Sequence, residues 1–153
     1  MTPSRPIDIC LAAIVAFAMA AFVLIEGDAL YIGLWYYLFV PFAILGLCAI
    51  IRPKPFFFFG ASLALSITFI SYLLINWGAS RPDGLLGLGH LFSLPGALIG
   101  ALIAASISKR HVFVGSPLAT IVGFLGVSLG FLSNQLLVCN TVMWCGPLSL
   151  SLK

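Results

Sequence analysis

The sequence predicts an all-α integral membrane protein, a bundle of five transmembrane helices, or four if the N-terminal segment is cleaved. Three observations carry this expectation. Of 153 residues, 62% are hydrophobic and only 7% are charged, against roughly 45–50% and about 25% in an ordinary soluble domain. The mean hydropathy is +1.21. The apolar residues also fall into five runs near the length a helix needs to cross a bilayer, about 20 residues for a hydrocarbon core of roughly 30 Å, and almost all charges lie at the edges of those runs. In hydrocarbon every backbone polar group must be satisfied within the segment, so long apolar runs mean helices. The alternating hydropathy of an outer-membrane barrel is absent.

The first run, residues 9–25, ends at Glu26-Gly27-Asp28, which reads as a helix stop followed by an N-cap and makes runs one and two a tight hairpin. The second, 30–51, stops at Arg52-Pro53-Lys54-Pro55, where the prolines end one helix and restart the next. The third, 56–77, is followed by the polar turn 78–84 with Arg81, Pro82 and Asp83. The fourth, 85–108, ends at Lys109-Arg110-His111; Pro95-Gly96 in its middle predicts a kink, with a re-entrant segment as the alternative. The fifth, 117–138, opens on Ser116-Pro117, an N-cap and then a proline where a missing N–H does no harm. No linker of domain-separating length interrupts residues 1–153, so the expectation is a single polytopic membrane domain.

The basic residues orient the chain. With the N-terminus in the cytoplasm, Arg5, Arg52, Lys54, Lys109 and Arg110 lie inside, and Arg81 and Lys153 outside. The positive-inside rule therefore favours a plasma (inner) membrane protein with its N-terminus cytoplasmic and its C-terminus outside. Glu26, Asp28 and Asp83 fall on the outer side. Residues 1–20, with a basic start and Ala18-Met19-Ala20, also resemble a cleavable signal peptide, although the apolar run continues to Ile25. Tyr31, Trp35, Tyr36, Tyr37 and Trp77 are expected as outer interface anchors, and Phe56 to Phe59 open the third run on the inner side.

Small residues predict where helices touch. Gly96, Gly100, Ala104 and Ser108 recur every four residues on the fourth run; Ala119, Gly123, Gly126 and Gly130 recur at similar spacing on the fifth. Lipid supplies little hydrophobic drive for helix association, so close backbone approach matters, and these residues are expected to join runs four and five as antiparallel neighbours. Cys139 and Cys145 enclose five residues on the predicted outer side, where an oxidising compartment permits a disulfide. Cys10 and Cys48 are expected as small apolar fillers at the cytoplasmic side.

Residues able to do chemistry are few. No Asp, Glu, Lys or Arg falls well inside a predicted span, and such groups are the usual functional candidates in a membrane. His90, in the outer half of the fourth run, is expected as a satisfied, interface-facing side chain, with a cavity or partner as the alternative. Asn134 and Gln135 near the outer end of the fifth run, and Glu26 and Asp28 in the first outer loop, complete the polar candidates. Asn76, Ser62, Ser66, Thr68 and Ser71 are expected to bond across helices. No H-x-x-x-H or H-E-x-x-H pattern and no C-x-x-C exists, and nothing marks a nucleophile elbow around His90, Asp83 and Ser93. The expectation is no catalytic, metal or cofactor site, no nucleic-acid partner because the basic residues are scattered, and contact with the lipid bilayer and with a membrane-protein partner or a second copy. The function class expected first is a non-catalytic accessory or assembly subunit, or an immunity-type protein against a membrane-directed toxin. A channel or small-solute carrier subunit comes second, and a membrane thiol oxidoreductase last.

Overall fold

The computed structural model describes residues 4–28, 30–79, 85–110 and 116–141. Within them the chain is all helical: α1 (Ser4–Glu26), α2 (Leu34–Ile51), α3 (Phe57–Trp77), α4 (Leu85–Arg110) and α5 (Ser116–Thr141). All five are long and apolar enough to cross a membrane.

Several helix boundaries differ from those expected, and the starts of α1 and α2 do so for a local reason. α1 starts at Ser4 rather than residue 9, because Arg5 and Asp8 are used by the fold and do not mark its edge. The Arg5 guanidinium donates to the Pro53 carbonyl at 3.5 Å, and Asp8 is fully buried. Asp8 thus lies within α1, close to its N-terminal end, and not before it. α2 starts at Leu34 rather than residue 30 because Asp28 does not cap it directly. Its carboxylate instead accepts the Leu30 amide at 3.1 Å and the Gly33 amide at 2.6 Å, folding residues 28–33 into a loop. Gly27 and Gly33 take φ of 97° and 98°, a region only glycine enters without strain. α4 and α5 run past their expected ends to Arg110 and Thr141. α4 is continuous through Pro95, and α2 likewise contains Pro41.

α3 is the hub, in contact with each of the other four helices and the most buried of the five spans. Its composition explains this: Gly60, Ala61, Ser62 and Ala64 let neighbours approach, and all four are buried. A Cβ on Gly60 would collide with the Thr120 carbonyl of α5. The most extensive helix pair is α4 with α5.

The aromatic residues divide by face and not by depth. Tyr31 and Trp35 are 69% and 62% exposed, as expected of interface anchors, whereas Tyr36 and Tyr37 are buried. Phe57 and Phe58, at the start of α3, are core residues too. Trp77 packs edge-on to Phe22 of α1, with centroids 5.8 Å apart.

The α2–α3 connection is held from three other helices. Arg52 and Phe56 adopt left-handed backbone conformations at its two ends, and Phe56 gives α3 no side-chain cap of its own. Asp8 of α1 supplies it instead: its Oδ2 accepts the Phe58 amide at 3.3 Å and its Oδ1 the Phe59 amide at 2.8 Å. A carboxylate there also meets the positive end of the α3 dipole. Thr120 of α5 donates to the Phe56 carbonyl at 3.1 Å, and Ser108 of α4 accepts the Lys54 amide at 3.3 Å.

Candidate functional site: a histidine enclosed by aromatic rings

His90 lies in the second turn of α4 and is fully buried. It faces the centre of the bundle, which corrects the expectation that it faces the interface. Three other helices build its surroundings: Tyr36 from α2, Thr68, Phe69 and Tyr72 from α3, and Phe131 from α5. The imidazole stacks on Phe69 with centroids 4.6 Å apart and planes 22° apart. Tyr72 stands edge-on at 5.0 Å, and Phe131 is tilted at 5.1 Å.

Both ring nitrogens are engaged, and the partners fix the tautomer. Nδ1 is 2.9 Å from the Tyr36 hydroxyl and Nε2 is 3.1 Å from the Thr68 hydroxyl. The Thr68 hydroxyl has one proton, and it donates that proton to the Leu65 carbonyl at 2.7 Å. Towards His90 it can therefore only accept, so Nε2 carries the proton and Nδ1 accepts from Tyr36. A neutral imidazole satisfies both of its nitrogens in this way, while the hydroxyl of the neighbouring Tyr72 is buried without a hydrogen-bond partner among the described residues. What the arrangement does is join α2, α3 and α4 through one side chain; it leaves neither nitrogen open to a ligand. Ser93 donates to the Gly89 carbonyl within its own helix at 2.8 Å, so it is not a partner of His90, and Asp83 lies outside the described residues. Among the described residues no group of three or more His, Cys, Asp or Glu is placed to hold a metal.

Asp28 is the second polar centre. Besides the two amides it accepts the Tyr37 hydroxyl at 2.6 Å. Tyr37 packs edge-on against Tyr36 at 5.9 Å, so loop and histidine cluster are adjacent through ring contact. Glu26 is exposed at the end of α1.

The small residues divide between two interfaces. Gly96 packs on Gly130, and Gly100 and Ala104 on Gly126, so closely that a Cβ on any of these glycines would strike the facing helix. These five join α4 to α5. Gly123 faces α3 instead, where a Cβ would meet the Phe57 carbonyl, which corrects its assignment to the α4 contact. Ala119 is buried one turn before it, and Ser108 is spent on Lys54. Asn134 donates to the Phe92 carbonyl of α4 at 2.6 Å, tying the two helices at the opposite end from Ser108. Gln135 is buried. Ser62 bonds across to the Ala12 carbonyl at 2.9 Å, while Ser71 turns back to Ile67 of its own helix.

On its outer side the α4–α5 pair forms an open apolar groove of about 570 Å³. Its floor includes Gly96, Gly100, Gly126 and Gly130, and its walls include Ile99, Ile103, Leu125 and Leu129. Those four wall residues are all exposed, and α5 is the least buried of the five spans.

The free cysteines among the described residues are Cys10, exposed, and Cys48, buried. Cys139 is buried and engaged; Cys145, its expected partner, lies outside the described residues, as do Arg81, His111 and Lys153.

Sequence reasoning missed three parts of this arrangement: Asp8 as a cap for α3, Gly60 as the point where α5 crosses α3, and the Tyr36–His90–Thr68 chain. The signals existed only in pairs. An aspartate inside an apolar helix and a helix start with no Ser, Thr, Asp or Asn at its edge each mean little until placed together. No protein-family model matches this chain, and neither a curated protein nor a solved structure is detectably similar to it.

Proposed function

We propose that this chain is a small, non-catalytic, multi-pass protein of the inner membrane, with its N-terminus cytoplasmic, that acts by holding a helix of a partner membrane protein in its α4–α5 groove. The observation that carries this reading is the groove itself. The glycine floor brings the backbone to the surface, and the exposed Ile and Leu walls are spaced to receive the side chains of another helix. From Gly96 to Ile107 the groove follows α4 for about 16 Å at 1.5 Å per residue, long enough for about three turns of a facing helix. The internal polar groups support a non-catalytic role, since His90 and Asp28 have their bonding taken up within the bundle. An accessory or assembly subunit fits this better than a channel, because Ser62 and Thr68 of α3 spend their hydroxyls on contacts within the bundle.

The test is site-specific photocrosslinking in the native membrane from Leu129, on the groove wall, and from Ile67, exposed on α3. A discrete adduct with one other membrane protein from Leu129, and none from Ile67, is the expected result. Adducts with lipid alone would overturn the reading. A self-adduct would replace the partner with a second copy.

A further inference from the structure

We propose that the end of the bundle carrying Arg5, Arg52, Lys54, Lys109 and Arg110 is a docking surface for the headgroups of anionic phospholipids. This goes beyond the partner-helix reading and does not depend on it. These residues are far apart in sequence, yet two bonds draw them to one place. The Arg5 guanidinium reaches the Pro53 carbonyl at 3.5 Å, and the Lys54 amide reaches Ser108 at 3.3 Å, one residue before Lys109 and Arg110. Arg52 sits between them in a left-handed conformation, its amide closing α2 on the Ala49 carbonyl. The side chains of Arg52, Lys109 and Arg110 are exposed.

What sharpens this into a binding surface is the treatment of Asp8, the one acid at that end among the described residues. Asp8 is fully buried, and its two oxygens accept the Phe58 and Phe59 amides. The charge of Arg5 acts on it, but its oxygens face inward, and Arg52, Lys109 and Arg110 stand exposed at the surface. The other acids among the described residues, Glu26 and Asp28, lie at the far end of the bundle. The surface immediately below the basic cluster is apolar and exposed, with Ile9, Ile50, Ile107 and Leu118 around the bundle. Cations above an apolar collar match a lipid headgroup above its acyl chains. Basic side chains near an anionic leaflet gain about 1 kcal/mol each, an attraction that fades within a Debye length.

The test uses the full chain reconstituted in phosphatidylcholine vesicles with trace spin-labelled lipid, either phosphatidylglycerol or phosphatidylcholine. Electron paramagnetic resonance then reads the fraction of each label held at the protein. The wild type should hold phosphatidylglycerol roughly tenfold better at low salt, and the preference should shrink as salt is raised. The triple variant Arg52→Gln, Lys109→Gln, Arg110→Gln should lose most of it, Arg52→Gln alone should lose part, and Glu26→Gln should retain it. Circular dichroism of each variant establishes that the helices are intact. Soluble glycerol phosphate at matched ionic strength should displace the lipid no better than sodium chloride. No preference in the wild type, a preference that ignores salt, an undiminished preference in a folded triple variant, or strong displacement by glycerol phosphate would each overturn the proposal.

Discussion

The Nδ1 nitrogen of His90 and the hydroxyl of Tyr36 lie 2.9 Å apart, joining α2 to α4 across 54 residues of sequence. Because Thr68 spends its only proton on Leu65, the direction of this bond is fixed: tyrosine donates and histidine accepts. Tyr36→Phe removes the donor and leaves a buried acceptor unsatisfied, which costs about 1–3 kcal/mol. Thermal unfolding of the purified protein in mild detergent should show the loss. Nitrogen NMR of the wild type should find the imidazole proton on Nε2; a proton on Nδ1 would refute the assignment.

Asp8→Ala strips α3 of the acceptor for two amides, and loss of a helix cap costs about 0.5–2 kcal/mol. Hydrogen exchange should accelerate first at Phe58 and Phe59, with the amides deeper in α3 less affected. Asp8→Asn keeps one acceptor oxygen and should fall between the variant and the wild type. Uniform acceleration along α3 would mean that Asp8 does not act as a local cap.

Gly100 and Gly46 give a matched pair. A methyl group on Gly100 would meet the Gly126 carbonyl, whereas one on Gly46 meets nothing within 4 Å. Gly100→Ala should destabilise the protein by about 1–3 kcal/mol through overpacking. Gly46→Ala should be neutral or stabilising by up to about 1 kcal/mol, since alanine is the better helix former. Denaturation of both variants in one detergent decides the matter, and equal behaviour would argue against close α4–α5 contact.

The free cysteines should differ in accessibility. Cys10 is exposed and Cys48 is enclosed, so a maleimide reagent added to the detergent-solubilised protein should modify Cys10 quickly. Cys48 should react only on unfolding. Mass spectrometry of the peptides reads each site, and prompt labelling of Cys48 would show that α2 is not packed as described.

Five helices were legible because length and charge placement alone define an apolar run that can span a bilayer. Their faces were not. Tyr36 and Trp35 are adjacent and both aromatic, yet one is buried and the other exposed, and hydropathy does not distinguish an inward from an outward apolar side chain when the surroundings are apolar too. Spacing did find the glycines of α4 and α5, because close backbone approach requires small residues whatever the solvent. It missed that Gly123 turns towards α3, since a repeat on one helix does not say which neighbour it meets. His90 stood out as the lone ionisable group in a span, but its partners Tyr36 and Thr68 come from helices whose register only the folded chain provides.

The cap that α1 gives α3 has a consequence for biogenesis. Asp8 and Ala12 leave the ribosome about 50 residues ahead of the amides and the Ser62 hydroxyl they receive. α1 can therefore be waiting in the bilayer when α3 arrives, with the acceptor for two amides of its first turn already in place. A peptidase cutting after Ala20 would remove both acceptors together, leaving the Phe58 and Phe59 amides and Ser62 without their partners in a medium that offers no water to replace them. The earlier-made α1 thus holds the acceptors that the later-made α3 needs at its start.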